Sequence, residues 1–119
     1  DYPGSGYGLV TMFDALHDMG DPGGAASHVR GSLAPDGSLM VVEPAAGPSL
    51  ADNLHPVGRL YYAVSTSICV PAALGQEGGA ALGAQAGEER LGDVLRDGGF
   101  RTVRKAVATP FNIVLEARG

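Results

Sequence analysis

A histidine among acidic residues is the feature of this 119-residue sequence best suited to chemistry. His17 follows a short apolar run, with Asp18 beside it and Asp14 three positions earlier. An imidazole is a suitable general base near neutral pH, because its ordinary pKa is about 6.5. Glu43 ends a second apolar run and could orient this ring or a substrate hydroxyl, or remain a solvated or ion-paired carboxylate. His17 itself is interpreted as a base, a pocket-wall residue or a histidine hydrogen-bonded in a turn.

Metal binding is a second chemistry that these residues could support. Asp14, His17 and Asp18 are suitable ligand types, but the sequence shows no further ligand beside them. Cys69 is the only cysteine, so an internal disulfide is excluded and a cysteine-based metal site is not expected. We therefore predict no metal site, and we interpret Cys69, in its apolar context, as a buried small residue rather than a nucleophile.

The elements that must position these residues alternate between strands and helices. Asp21 and Pro22 are typical of a helix start, and an acidic first turn at Glu88 and Glu89 opens another helix. The Thr109–Pro110 connection is too short for a crossover helix, so the last two strands should form an antiparallel hairpin. Apolar runs predict strands at about 7–13, 38–43, 101–108 and 111–117.

The middle of the chain, about 50–87, is predicted to be a helical insertion. Leu54, Val57, Leu60, Tyr61 and Val64 have helical spacing, which indicates an amphipathic helix around 54–68, and a proline at position 71 should break it. The whole order predicts a single α/β domain over 1–119. We expect a mostly parallel sheet with an antiparallel final hairpin, helices on both faces, and a first strand with one unpaired edge.

This order resembles the C-terminal half of the Rossmann-like sheet in class I S-adenosylmethionine (SAM)-dependent methyltransferases, and is most similar to small-molecule O-methyltransferases. Gly8 departs from the family motif Tyr-Asp-Leu-Val, where aspartate is usual. The family's Gly-rich first turn, which holds the cofactor, is missing, as is the acidic residue that holds the ribose. The matching segments are Tyr7-Gly8-Leu9-Val10, Phe13 to Pro22, Leu33-Ala34-Pro35-Asp36-Gly37, Val41-Val42-Glu43-Pro44 and Gly98-Gly99-Phe100.

The resemblance also implies residue roles. The implied roles are catalytic for His17 and Glu43, cofactor-binding for Phe13 and Asp14, and substrate-binding for Asn53, Tyr61 and Tyr62. Structural roles are open for some of them: Phe13 could equally be a core residue, Asp14 a turn cap, and one of the two tyrosines in the insertion a helix-packing residue.

The composition limits the classes of binding partner that we expect. Eight basic and thirteen acidic residues give a net charge of −5 without clustering, so we expect no nucleic-acid contact and no membrane surface binding. The start carries no signal-peptide pattern, and one cysteine suits a reducing, cytoplasmic setting.

Three functions remain open. The chain is a fragment of a SAM-dependent methyltransferase for a small molecule, missing an N-terminal cofactor half and inactive alone. Alternatively it is a non-catalytic half-domain that forms a homo-oligomer or pairs with a partner through its first strand. A binding module without chemistry is the third.

Overall fold

In the computed structural model, which describes residues 2–119, the chain enters the sheet through β1 (Tyr7–Phe13). A 3-10 turn (Leu16–Asp18) leads into α1 (Pro22–Ser32), which returns the chain to β2 (Leu33–Pro44). The Asp21 carboxylate accepts a hydrogen bond from the Gly24 N–H at 2.8 Å, and Pro22 occupies the first helical position. β2 starts earlier than the predicted residue 38, because Leu33 already pairs with Tyr7; the register is irregular between this pair and the pair Leu9–Ser38.

The insertion is helical, but the predicted break at Pro71 does not occur. α2 (Pro56–Val64) passes into a π-helical turn (Ser65–Cys69, the π turn), and α3 (Val70–Leu74) continues from it. Pro71 stands in the first turn of α3, where its missing N–H costs no hydrogen bond within that helix. The sequence prediction failed because a π turn shifts the hydrogen-bond register ahead of the proline.

The chain closes with α4 (Gly87–Asp97), β3 (Thr102–Ala108) and β4 (Asn112–Arg118). The strand order is β1-β2-β4-β3, with β1 parallel to β2 and β4 antiparallel to both of its neighbours. The α/β class and the antiparallel final hairpin are confirmed. β1, β2 and β3 run in the same direction. Because the antiparallel strand β4 lies between β2 and β3, the only parallel pair of neighbours in residues 2–119 is β1 with β2.

The core lies on one face of this sheet. Alternate residues of β2 and β4 point into it, and α1 and α4 cover them with Val29, Leu91 and Leu95. Its fully buried strand residues are Leu39, Val41, Leu115 and Ala117.

The opposite face, here called the open face, includes Leu9, Thr11, Phe13, Met40, Val42 and Val114 and, toward β3, the ion pair of Arg104 and Glu116. Leu9 and Phe13 are 57% and 61% exposed. α1 and α4 both pack on the core face, so the helical layer expected on the second face is not found within residues 2–119. β1 is also an edge strand, since it pairs with β2 alone in this part of the chain. Across the same residues, no helix combines the length and the apolar character that crossing a bilayer requires.

Candidate functional site

His17 and Glu43 meet at the carboxyl ends of β1 and β2. Because these strands are parallel neighbours, their carboxyl ends lie at the same edge of the sheet. Glu43 Oε1 accepts hydrogen bonds from the backbone N–H of Leu16 at 2.8 Å and of Ala15 at 3.2 Å. Its Oε2 contacts His17 Nδ1. The carboxylate therefore holds both the 3-10 turn and the ring, and Glu43 and His17 are only 1% and 4% exposed.

The charges around the ring favour its protonated form. Burial lowers the pKa of His17, but the hydrogen bond and negative charge of Glu43, with smaller contributions from Asp18 and Asp14, outweigh burial. The net pKa lies above the ordinary value for histidine. A buried imidazole with raised basicity is suited to accepting a proton.

Asp14 gives the strand end an unusual backbone. Its φ of 45° lies in the left-handed region, which non-glycine residues seldom adopt, although aspartate tolerates it better than most. The Asp14 N–H donates to the Val42 carbonyl at 2.8 Å, so the chain leaves β1 in a sharp turn. This turn brings Asp14 to the cavity that His17 and Asp18 of the 3-10 turn also line.

Asp18 and Cys69 complete the surroundings of the ring. His17 Nε2 lies 3.1 Å from Asp18 Oδ1, and this oxygen is buried without a hydrogen-bond partner among residues 2–119. The π turn places Cys69 beside it, and burial, followed by the Asp18 carboxylate, raises the pKa of the Cys69 thiol to about 11. Sequence reasoning missed this neighbour, because no spacing rule links a residue in the insertion to the end of β1.

These groups line a cavity of about 420 Å³, here called the His17 cavity. One wall is apolar: Leu60, Val64 and Ile68 lie four residues apart along the insertion and are substantially exposed. Their spacing is the signal by which the sequence could have identified this wall. The remaining lining residues are Asp14, His17, Asp18, Pro44, Tyr61, Cys69, Ala84 and Asn112.

The structure separates the residues predicted to bind substrate. Tyr61 lines the His17 cavity, and its hydroxyl donates to the Phe111 carbonyl at 2.9 Å. Burial and the charge of Asp14 raise the pKa of Tyr61. Tyr62 and Asn53 line a different cavity, and Asn53 is 2% exposed with its amide bonded to backbone atoms of Gly47 and Ser49. These bonds organise a loop, so Asn53 is not brought to His17.

The two predicted cofactor contacts also differ in position. Asp14 lines the His17 cavity, whereas Phe13 lies on the open face opposite Val42 and is not part of the core. Phe13 therefore offers an exposed aromatic ring at the tip of β1.

Comparison with known proteins gives matches in structure alone: no family model and no curated protein sequence matches the chain. The structure of PigF with SAH superposes with a TM-score of 0.73 at 16% identity, over 100% of this chain and 32% of that one. An O-methyltransferase family protein from Burkholderia thailandensis superposes with a TM-score of 0.64 at 18% identity, over 98% of this chain and 31% of that one. Human N-acetylserotonin methyltransferase in complex with SAM superposes with a TM-score of 0.57 at 21% identity, over 92% of this chain and 28% of that one.

Such identities establish the fold alone, and the chain spans about a third of the solved structures that it matches. The resemblance drawn from the sequence motifs is thereby confirmed for the fold. The chain has the fold of one part of SAM-dependent O-methyltransferases, with His17 and Glu43 at the carboxyl ends of its parallel strand pair.

Proposed function

We propose that this chain is the C-terminal part of a SAM-dependent methyltransferase that acts on a hydroxyl group of a small molecule. The observation that carries the proposal is the buried His17–Glu43 pair, which faces a cavity with an apolar wall at the strand ends. Open α/β sheets place their ligands at this edge. The fold match supports the reaction class, since the matched structures include several named as methyltransferases.

Within this proposal, His17 is the base. The neutral ring, which is favoured at pH values above its raised pKa, is the form that acts: Glu43 keeps its proton on Nδ1, and the Nε2 lone pair accepts the substrate's hydroxyl proton. As the oxygen–methyl bond forms, the sulfur–methyl bond breaks and its electron pair stays on sulfur, while the proton ends on Nε2. Leu60, Val64 and Ile68 provide an apolar wall for the carbon skeleton of the substrate.

The residues at the tip of β1 fit one side of the cofactor. SAM supplies an electrophilic methyl group on a cationic sulfur. The exposed Phe13 ring and the Asp14 carboxylate both suit a cationic group, through the ring face and through charge respectively. We propose them as contacts for the methionine end, and the contacts to the nucleoside would come from outside residues 1–119. The 119 residues alone are therefore expected to bind no SAM.

The test uses the complete open reading frame that contains this chain. Methyl transfer from labelled SAM to a panel of small hydroxyl compounds should be detected, and His17→Gln should lower turnover by about 10²–10⁴-fold, the usual contribution of a general base. His28→Gln is the matched control, since His28 lies in α1 outside the His17 cavity. Full turnover by His17→Gln would exclude His17 as the base. Absence of methyl transfer from the complete protein over the whole panel would reject the function.

A specific observation favours a second candidate function, association through the sheet. Within residues 2–119, β1 has one edge without a partner strand and contains no charged residue, and the open face beside it carries exposed Leu9 and Phe13. Such edges pair readily with other strands. We propose that the chain, if it acts without cofactor contacts, is a non-catalytic half-domain that self-associates through β1. Light scattering of the 119-residue chain decides this, since a strictly monomeric particle at high concentration would contradict it.

A further inference from the structure

Three ligand-type side chains converge on the His17 cavity from two distant parts of the chain. His17 and Asp18 belong to the 3-10 turn after β1, and Cys69 ends the π turn. One candidate ligand atom of each lies within 4.8 Å of the other two. Glu43 occupies His17 Nδ1, so Nε2 is the ring nitrogen left to bind a further group.

The facing of His17 and Asp18 points to a cation between them. When Nδ1 carries the proton directed at Glu43, Nε2 presents a lone pair at 3.1 Å from Asp18 Oδ1. In the metal-free chain a proton on Nε2 lies between these two atoms, in keeping with the raised pKa of His17, and a metal ion bound by both atoms would displace that proton. Asp18 Oδ1 is buried and has no hydrogen-bond partner within the described part of the chain, and the other part of this side chain reaches solvent, so the oxygen that faces Nε2 is free of competing hydrogen bonds.

We propose that His17, Asp18 and Cys69 bind a divalent metal ion of the zinc type. Imidazole nitrogen, thiolate sulfur and carboxylate oxygen are the three ligand classes that zinc takes from proteins. Three protein ligands leave a fourth position, and here that position faces the His17 cavity. The sequence argued against a metal because Asp14, His17 and Asp18 lacked a partner ligand, and folding supplies that partner as Cys69.

The distances are close to those that a tetrahedral site needs. Zinc–ligand bonds of roughly 2.0–2.3 Å place neighbouring ligand atoms roughly 3.3–3.6 Å apart. His17 Nε2 and Asp18 Oδ1 already lie near this spacing, at 3.1 Å. The Cys69 sulfur has to approach by on the order of 1 Å and to lose its proton on binding.

Glu43 would act on the metal through His17. Histidines that bind metals commonly donate their other ring N–H to a carboxylate, which fixes the tautomer and raises the basicity of the ligand nitrogen. Glu43 stands in that relation to Nδ1 and is itself held by two backbone N–H groups. The site thus has its three ligands and also the outer carboxylate of Glu43.

The test is a titration of the metal-free 119-residue chain with Co²⁺, a coloured substitute for zinc, followed by displacement with Zn²⁺. We expect one Co²⁺ per chain and a sulfur-to-cobalt charge-transfer absorption that Zn²⁺ removes. Cys69→Ser should abolish this absorption, and Asp18→Asn should weaken binding by at least about 10-fold. Glu43→Gln should weaken it by about 10–100-fold through the ring. Asp36→Asn, the same substitution at an exposed site outside this cluster, should leave binding unchanged.

Three results would overturn the proposal. The first is no Co²⁺ absorption at millimolar metal with the folded wild-type chain. The second is a Cys69→Ser protein, folded by circular dichroism, that retains the wild-type affinity. The third is an equal effect of Asp18→Asn and Asp36→Asn, which would assign binding to general surface charge. A metal ion on Nε2 occupies the lone pair that the proposed base uses, so the metal-bound chain is a form in which His17 does not act as the base. None of these readouts depends on methyl transfer, so the metal proposal and the proposed function fail separately.

Discussion

Replacing Glu43 by alanine should destabilise the fold strongly, because one buried carboxylate serves three partners. The backbone N–H groups of Leu16 and Ala15 lose their acceptor, and His17 loses the negative charge at Nδ1. An orphaned buried donor costs about 1–3 kcal/mol, and breaking a buried charged pair costs about 3–5 kcal/mol. The two costs overlap, so we expect the free energy of unfolding to fall by roughly 3–5 kcal/mol, a large share of the roughly 5–15 kcal/mol typical of a domain.

Urea unfolding of the 119-residue chain, followed by circular dichroism, measures this change. Glu43→Gln keeps an acceptor for the backbone but removes the charge, so it should cost about 1.5–3 kcal/mol and remains measurable if the alanine variant does not fold. Glu88→Gln is the control, since Glu88 forms an exposed ion pair with Lys105 at 2.5 Å that is worth less than about 1 kcal/mol. Glu43→Ala and Glu88→Gln variants of equal stability would refute the reasoning.

Three further predictions concern protonation, reactivity and association. The pKa of His17 is raised in the folded chain, so its contribution to stability is fully present at pH values below the ordinary histidine pKa and is lost as the pH rises through the folded pKa. The urea midpoint of the metal-free chain should therefore fall over this pH range, and Glu43→Gln should make the midpoint less dependent on pH. The pKa of Cys69 is about 11 against an ordinary 9.0, so its alkylation by iodoacetamide at pH 8 should be about 100-fold slower than that of an unfolded thiol, and a rate equal to the unfolded rate would contradict this. Thr11→Lys places a charge on the open face of β1 and should reduce self-association in light scattering, whereas an unchanged particle size in a self-associating chain would assign the interface elsewhere.

Local patterns were sufficient for the order of strands and helices and for one pair of the candidate site, but not for the start of β2 or for the continuation of the insertion through Pro71. The two-residue Thr109–Pro110 connection requires a hairpin, and the apolar runs before Asp14 and Glu43 indicate parallel strands. Parallel neighbours end at the same edge, so the meeting of His17 and Glu43 follows from the strand pattern together with the topology that the family resemblance implies.

Only the tertiary structure decided which parts of the insertion reach that edge. Tyr61 and Tyr62 are adjacent in sequence and equivalent in type, yet a helix points neighbouring residues in different directions, and Tyr61 alone of the two lines the His17 cavity. Cys69 reaches Asp18 through the π turn, which no pattern of residue types announces. The position of β4 between β2 and β3, and the absence of a helical cover on the open face of residues 2–119, are likewise decided by packing. The physical reason is that periodicity and turn chemistry act over a few residues, whereas contacts between distant segments depend on how whole faces pack.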